Sequence, residues 1–407
     1  MKFLRLILVL FPLFTHAADG DTPALLRIRE VIASGEQPVR IVAFGDSVTG
    51  IYYHTGGRRA YAELMDETLA TRHPNSEVTV FNAGVSGHTT TNGLGRLQQQ
   101  VLVHKPHLVT VMFGLNDVAK GTIDLYRKNL IEIVKKCRAA GAEVILCTPN
   151  AVSETPVRPV AKVAAFAEVA RAVAREMTVP LADAHADLGA LRENDPETWR
   201  ISMSDEIHPN LRGHRRLAES ILRVIEGESV PLSDSETVPD PLQFTLTKLQ
   251  KNLPVKVLAM PPFDAFAEAA LTAAHPGAQV TVIPWPTEGL DRYTLMKDAA
   301  HRVRPLVPDL VLIAVPRKAA AKDKEEFIRT QMWIASNSLS RGKREWDLVV
   351  VHPDVFEETS IDADRKYDVL IEKIVPAQDL GLVYREIKDE GNAAEILGDW
   401  IRRHLPD

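Results

Sequence analysis

The segment Val39-Arg40-Ile41-Val42-Ala43-Phe44-Gly45-Asp46-Ser47-Val48-Thr49-Gly50 joins an apolar run to a small polar turn flanked by glycines. A continuous apolar run rich in β-branched residues is typical of a strand buried on both faces, as in a parallel sheet. The carboxyl ends of such strands form the edge where ligands bind. Ser47 follows the strand directly, so we predict that it is a nucleophile. The alternative is a plain turn, because Gly, Asp and Ser all favour turns.

From Pro23 onward, helical patterns alternate with strand patterns. This alternation predicts an α/β protein with a parallel sheet. The expected strands are Val39 to Phe44, Glu77 to Phe81, Leu108 to Phe113, Glu143 to Thr148 and Val179 to Asp183. The expected helices between and after them are Ala60 to Thr71, Leu94 to Val103, Thr122 to Ala140, Lys162 to Met177 and Arg212 to Ile225.

The composition is that of a folded and mildly acidic protein, with 45% hydrophobic residues and a formal net charge of −6. The sequence contains no run of lysine or arginine that could bind a phosphate backbone, so nucleic acid is not an expected partner. Cys137 and Cys147 are interpreted as two core thiols, and a bridge between them is left open. The cysteines and histidines lack metal-ligand spacing. We therefore expect neither a metal nor a cofactor.

The first residues have the pattern of a secretory signal peptide, which we assign to residues 1–17. Lys2 and Arg5 precede the apolar stretch Leu6 to Phe14, and Thr15-His16-Ala17 approximates a cleavage signal. The apolar stretch is shorter than the ~20 residues that span a bilayer, which disfavours a membrane anchor. Cleavage would remove two positive charges and no stable membrane span would remain. The expected location is outside the cell or in the periplasm.

A change of composition at residues 228–240, rich in proline, serine and acid, predicts a linker between a first domain at residues 22–227 and a second at 241–407. The second half repeats the first. His73-Pro74 and the strand after it match His275-Pro276 and its strand, and the spacing continues without a gap. All five strand patterns recur. We interpret this as a tandem duplication.

Three more polar segments lie at the ends of predicted elements in the first half. Asn82-Ala83-Gly84 follows the second strand, Gly114-Leu115-Asn116-Asp117 follows the third, and Ser204-Asp205-Glu206-Ile207-His208 precedes the last helix. Histidine is the side chain whose ordinary titration suits general-base work, and a carboxylate three residues earlier can bond to its Nδ1. Glycine lets backbone approach a ligand closely. These segments should converge on the edge that carries Ser47.

Taken in order, Gly45-Asp46-Ser47, Gly84, Gly-x-Asn-Asp and Asp-x-x-His resemble the motifs of the GDSL esterases, also called SGNH hydrolases. The resemblance implies a three-layer α/β/α domain with a flavodoxin-like, five-stranded parallel sheet that hydrolyses esters. It implies that Ser47 is the nucleophile, His208 the base and Asp205 its orienting partner. It also implies an oxyanion hole made of the Ser47 amide, the Gly84 amide and the Asn116 side chain. Val48 stands where the family name has leucine.

The second half keeps the strand patterns and loses the polar residues. Phe263 aligns with Ser47, Pro286 with Gly84 and Lys318 with Asn116, and no Asp-x-x-His follows the fifth strand. This copy resembles an esterase domain that is inactive. We expect a packing partner for the first domain, and the alternative is a carbohydrate-binding surface that uses Trp285.

Two classes of function follow. The first is a serine ester hydrolase that acts on a small-molecule or carbohydrate ester, with O-acetylated carbohydrates preferred and a lysophospholipase or thioesterase type as the alternative. The second is a non-catalytic carbohydrate-binding protein, which the complete set of polar residues in the first half argues against. His54, His88 and His185 lie close enough to strand ends to line the crevice, although solvated loop positions are favoured for them. The acyl group, the alcohol and the oligomeric state are left open.

Overall fold

The computed structural model describes residues 23–51, 53–55, 57, 59–232, 240–340, 345–358, 365–386 and 391–404. The expected signal peptide and most of the expected linker lie outside these ranges. Within them, no helix is both long enough and apolar enough to cross a bilayer.

The first half contains a five-stranded sheet in which every pairing is parallel. Its strands are β1 (Val39–Gly45), β2 (Val78–Gly84), β3 (Leu108–Met112), β4 (Glu143–Cys147) and β5 (Leu181–Ala182). The strand order is β2-β1-β3-β4-β5, so the chain changes direction across the sheet between β1 and β3. The carboxyl ends on either side of such a reversal enclose a crevice. Ser47 and Asn116 follow the two strands that flank it.

Helices flank this sheet. They are α1 (Pro23–Ser34), α2 (Tyr61–Arg72), α3 (Thr90–Gln100), α4 (Leu115–Lys120), α5 (Ile123–Ala139), α6 (Val160–Met177), α7 (Ala184–Asn194), α8 (Pro196–Ile201) and α9 (Leu211–Glu226), with 3-10 turns at Tyr53–Thr55 and Leu102–His104. The expected helices are present, but α3 begins four residues early because Thr89 accepts a hydrogen bond from the Asn92 amide and caps it. The short helices α4, α7 and α8 were not predicted.

The second half contains a second five-stranded parallel sheet with its own helices. Its elements are α10 (Gln243–Gln250), β6 (Val255–Ala259), α11 (Phe263–Ala274), β7 (Val280–Pro284), α12 (Arg292–Leu306), β8 (Leu310–Ile313), α13 (Lys324–Asn337), β9 (Asp347–Val351), α14 (Pro353–Phe356), α15 (Asp368–Ala377), β10 (Gly381–Val383) and α16 (Ala393–Arg402). The strand order is β7-β6-β8-β9-β10.

The two sheets agree in strand order and in register. Val39 pairs with Val78 in the first sheet, and the aligned Val255 pairs with Val280 in the second. Ile41 pairs with Leu108, and the aligned Val257 pairs with Leu310. A shift of one residue would turn every side chain to the opposite face of its strand, so matching registers require matching apolar patterns. The α/β architecture is confirmed, and the agreement is consistent with a tandem duplication.

Both cysteines carry free thiols in the core of the first half. Cys137 lies on α5 and Cys147 ends β4, and both are buried. Burial raises the pKa of Cys137 to about 12. The bridge that the sequence left open is therefore absent between these two residues.

The two halves meet through apolar and charged contacts. Ile201, at the end of α8, is 1% exposed and packs into the core of the second half. Asp379, in the turn before β10, accepts hydrogen bonds from Arg59 at 2.8 Å and from Arg215 at 2.7 Å. Since both arginines belong to the first half, a buried carboxylate of the second half bridges them, and Arg59 also pairs with Glu67 at 2.7 Å.

Candidate active site

The side chains of Ser47, His208 and Asp205 form a continuous hydrogen-bonded chain. Ser47 Oγ lies 2.9 Å from His208 Nε2, and His208 Nδ1 lies 2.8 Å from Asp205 Oδ2. Because Nδ1 faces a carboxylate, it carries the imidazole proton, and Nε2 is left to accept the proton of the serine hydroxyl. Ser47 follows β1 at the crevice, as the sequence predicts for a nucleophile.

The loop before α9 fixes the carboxylate relative to the imidazole. Asp205 Oδ1 accepts the amide of Ile207 at 2.8 Å and the amide of His208 at 2.7 Å. Burial raises the pKa of Asp205, but the hydrogen bond and the charge of His208 outweigh burial and lower the pKa to about 2. Asp205 is therefore ionised at any pH at which the protein would work.

His54 stacks on the imidazole of His208. The ring centroids lie 3.7 Å apart with an angle of 19° between the planes, and His54 is 6% exposed. Burial, with the nearby His208, lowers the pKa of His54 to about 3, so this ring is neutral. The expectation of a solvated loop position was wrong for His54, because the turn Tyr53–Thr55 places its ring against the ring of His208.

Trp333 on α13 of the second half contacts His54. The Trp333 ring meets the His54 ring edge to face, with centroids 6.4 Å apart. Trp333 is partly exposed, so an aromatic face from the second half lies one ring away from His208. No local pattern could have found this contact, because it depends on how the halves dock.

The Asn116 side chain lies at the start of α4 and is 5% exposed. Its Nδ2 donates to the carbonyl of His88 at 3.1 Å and makes a longer contact of 3.4 Å with Asp46 Oδ2. Its Oδ1 accepts a hydrogen bond from Arg158 at 3.1 Å, which fixes the amide orientation. The sequence did not single out Arg158. One Asn116 N–H is thus weakly engaged and can turn to an oxyanion.

The Gly84 amide is already occupied. It donates to Asn82 Oδ1 at 3.0 Å. A Cβ at Gly84 would lie 2.2 Å from the amide nitrogen of Gly50, so glycine is required here for the close approach of two loops. In the same loop, Gly87 has a φ of 75°, and its N–H has no hydrogen-bond partner among the described residues. The Gly87 amide is therefore a second candidate for the oxyanion-hole donor that the sequence analysis assigned to Gly84.

Asp46 and Asp117 hold the loops around the site. Asp46 Oδ1 accepts the Val48 amide at 3.0 Å, and its backbone carbonyl accepts the amides of Thr49 and Gly50. Burial raises the pKa of Asp46 to about 6. Asp117 accepts the Thr90 amide at 3.0 Å at the start of α3. Both contacts agree with the structural interpretation of these carboxylates.

Arg96 on α3 ties the ends of two strands together. It donates to the carbonyl of Gly45 at 2.6 Å and to the carbonyl of Ala83 at 2.7 Å, and its guanidinium lies 4.6 Å from the centroid of the Phe44 ring. These bonds fix the carboxyl ends of β1 and β2, from which the Ser47 and Gly84 loops start.

In the second half, Trp285 is completely buried, and its Nε1 donates to Asp298 Oδ2 at 2.7 Å. The interpretation of Trp285 as a ligand-binding surface was therefore wrong. The strand β7 turns the side chain into the core instead of toward the edge of the sheet.

Comparison with known protein families finds a match for the segment that contains Ser47 and most of the site. The model of the GDSL-like lipase/acylhydrolase family matches residues 43–216. This part of the chain belongs to that family. The matched range begins in β1 and extends into α9, so it includes Asn116, Asp205 and His208.

Several curated proteins that are similar to this chain are esterases. An acetylxylan esterase of Geobacillus stearothermophilus is 26% identical over 222 residues, which are 49% of this chain and 98% of that protein. Esterase TesA of Pseudomonas aeruginosa is 28% identical over 182 residues, which are 44% of this chain and 85% of that protein. Among solved structures, a lipase/acylhydrolase from Enterococcus faecalis is 29% identical with a TM-score of 0.41, covering 48% of this chain and 99% of its own.

Membership of the GDSL family and the esterase relatives identify the chain as a carboxylic ester hydrolase. The match ends at residue 216, so it covers only the first half.

Proposed function

We propose that the first half hydrolyses esters with Ser47 as nucleophile, His208 as general base and Asp205 as the group that orients His208. The observation that carries this proposal is the hydrogen-bonded chain from Ser47 Oγ through His208 to Asp205, with distances of 2.9 and 2.8 Å. Such a chain lets a neutral imidazole remove the hydroxyl proton as the oxygen attacks a carbonyl carbon.

In the first step, Ser47 Oγ bonds to the carbonyl carbon and its proton moves to His208 Nε2. The carbonyl oxygen becomes an oxyanion, which the Ser47 amide, the Asn116 side chain and a glycine amide of the loop 84–87 would meet. His208 then gives the proton to the alcohol oxygen as the ester bond breaks. Water attacks the acyl-enzyme by the same route in reverse and releases the acid.

We propose small acyl esters of carbohydrates, such as O-acetylated sugars, as substrates. Polar side chains surround the oxyanion side of the site, with Arg158 bonded to Asn116 and Lys120 bonded to the Gly87 carbonyl at 2.9 Å. The partly exposed Trp333 offers an aromatic face, which suits the apolar face of a sugar ring. The acetylxylan esterase relative points in the same direction.

A lipid or thioester substrate is the second candidate. It is favoured by a different relative, thioesterase 1/protease 1/lysophospholipase L1 of Escherichia coli, which is 29% identical over 147 residues. These residues are 57% of that protein, so this likeness is partial.

A substrate panel distinguishes the two candidates. The purified protein is assayed on acetylated xylan, on p-nitrophenyl esters of increasing acyl length and on an acyl thioester. We expect kcat/KM to be highest for acetyl esters and to fall as the acyl chain grows. A rise with chain length would favour the lipid substrate and overturn the carbohydrate proposal.

We further propose that the second half is inactive as an esterase and that residues 1–17 direct export. All esterase activity should then disappear in Ser47→Ala, and the protein recovered outside the cytoplasm should begin near Ala18. Residual turnover in Ser47→Ala would contradict the first proposal, and an intact Met1 in exported protein would contradict the second.

A further inference from the structure

The second half encloses a cavity of about 230 Å³ near the carboxyl ends of β8 and β9. Residues 319–321 after β8 and Pro353 after β9 form part of its wall, together with Arg292 at the start of α12. The equivalent edge of the first sheet holds the Ser47 site. This half has therefore lost the catalytic residues but keeps an open space where parallel strands bind ligands.

Arg292 places a positive charge in the wall of this cavity. Its side chain is 2% exposed, and one guanidinium nitrogen donates to Gln331 Oε1. Its Nε is buried and has no hydrogen-bond partner among the described residues. In the part of the chain that the structure describes, no carboxylate lies within 4.0 Å of the Arg292 guanidinium, and Asp368, whose charge acts on it from farther away, is paired with Arg317. A buried cation left in this state is costly, so a bound anion would stabilise it.

Arg317 in the same wall is already neutralised. It forms ion pairs with Asp354 and, at 2.8 Å, with Asp368. Together with His352, these two carboxylates form a cluster whose geometry could hold a metal ion, but the Arg317 guanidinium already bonds to both of them. Among the described residues, the cations of the wall that form no ion pair are thus Arg292 and Lys366, which is exposed at the edge of the cavity.

Aromatic rings build the rest of the wall. The Arg292 guanidinium lies 4.0 Å from the centroid of the Phe327 ring, and the Phe327 and Tyr367 rings stack with centroids 4.5 Å apart. Lys366 Nζ lies 4.6 Å from the centroid of the Tyr367 ring. A planar guanidinium beside two stacked rings suits a ligand with a carboxylate on a small ring.

We propose that this cavity binds a small organic carboxylate, such as a sugar acid, with Arg292 as its counterion and Lys366 at the entrance. Pockets for drug-sized ligands begin at about 300 Å³, and this cavity is smaller. The ligand is therefore about the size of one sugar ring. A guanidinium forms charge-assisted hydrogen bonds with carboxylate and phosphate alike, and the ring of a sugar acid, which phosphate lacks, would add contacts with the aromatic wall. The site is independent of the proposed ester hydrolysis, since its lining lies wholly in the second half.

The test measures binding to the full-length protein by calorimetry and by the change in Tm, without any turnover. D-glucuronate is compared with D-glucose, which has the same ring and no charge, and with inorganic phosphate. We expect saturable binding of glucuronate that weakens with salt, no binding of glucose, and phosphate binding at least about tenfold weaker than glucuronate, because phosphate lacks the ring that contacts the aromatic wall.

Variants locate the site. Arg292→Gln should weaken glucuronate binding at least about tenfold, because a charge-assisted bond is lost. Lys297→Gln, which removes an exposed cation from the same helix outside the cavity, should leave binding within about twofold. Should Arg292→Gln fail to fold, Lys366→Gln at the rim is expected to weaken binding by a smaller factor.

Three results would overturn the proposal. They are equal binding of glucuronate and glucose, unchanged binding in a folded Arg292→Gln variant, and binding of phosphate as tight as that of glucuronate. The last would make the cavity a general anion site.

Discussion

At the scale of single residues, the site depends on contacts between groups far apart in the chain. Ser47 and His208 are separated by 161 positions and lie 2.9 Å apart, while Asp205 and His208 are neighbours on one loop. A short local motif therefore fixes His208 and its carboxylate, and the sheet brings Ser47, the proposed nucleophile, to them.

Ser47→Ala and His208→Ala should each lower kcat on p-nitrophenyl acetate by about 10⁴-fold or more, and the double variant should be little worse than either. The reason is that the two groups move one proton together. A serine-directed phosphonate should label Ser47 in the wild type and label nothing in Ser47→Ala. Ser34→Ala, which changes an exposed serine far from the site, is the control. Additive losses in the double variant would contradict a shared role.

Asn116→Ala should lower kcat by about 100- to 1,000-fold, because its predicted partner is a charge that exists only in the transition state. KM should change little. Activity is measured beside Tm, since the loss of the contacts to His88 and Arg158 also has some structural cost. An unchanged kcat would mean that Asn116 only orders the loop, and the oxyanion donors would have to be Ser47 and a glycine amide.

At the scale of elements, the junction of α2 and α9 holds a second buried histidine. His214 on α9 is 1% exposed, and its Nδ1 accepts the amide of Tyr61 at the start of α2 at 3.2 Å. Burial, with the nearby His208, lowers the pKa of His214 from 6.5 to about 3. The junction therefore needs the neutral imidazole.

This junction predicts a loss of stability in acid. Below pH 6.5 the unfolded state binds a proton that the folded state excludes down to about pH 3. The contribution of His214 is therefore complete above pH 6.5 and is lost on acidification, by up to about 1.4 kcal/mol per pH unit.

His214→Asn keeps an acceptor for Tyr61 and cannot be protonated. The free energy of unfolding in urea should therefore fall less steeply in this variant between about pH 6.5 and about pH 4.5. His54, buried and neutral in the same way, still contributes to the slope that remains. His301→Asn, at an exposed position on α12, should keep the slope of the wild type. An equal slope in His214→Asn would show that His214 is not the group that titrates.

At the scale of the whole molecule, the second half is joined to the first beside the site. Asp379 has a fully buried side chain that pairs with Arg59 and Arg215, which are 5% and 2% exposed. Arg59 precedes α2 and Arg215 lies on α9, so this carboxylate fixes the second half against the two helices next to the site. Trp333 then lies against His54.

Asp379→Asn should lower the free energy of unfolding by about 3 to 5 kcal/mol, because it removes the buried charge that bridges two buried guanidinium groups. The matched control is Lys324→Gln, which removes a pair with Glu197 between the same halves. That pair is exposed, and its loss should cost less than about 1 kcal/mol. Urea unfolding of the three proteins decides the comparison. Equal effects of both variants would mean that the halves are held by apolar contacts such as that of Ile201.

The sequence by itself determined the α/β class, the five strands of each half and the repeat. Strand patterns are local, and a run such as Val39 to Phe44 is apolar enough to require a sheet covered on both faces. The motifs around Ser47, Asn116 and His208 also stand in the sequence, because each lies in one short loop after a strand or before a helix. The short helices α4, α7 and α8 were missed since six to eleven residues carry little periodicity.

Only the tertiary structure decided which of these groups come into contact and which hydrogen bonds they form. His54 stacks on His208 and Trp333 on His54 because two halves dock, and docking depends on buried charges such as Asp379 that no local pattern reveals. The Gly84 amide is occupied by Asn82, two residues away, because the loop closes on itself. Trp285 is buried while Arg292 lines a cavity, since burial depends on the direction of each side chain after packing and not on its position at a strand end.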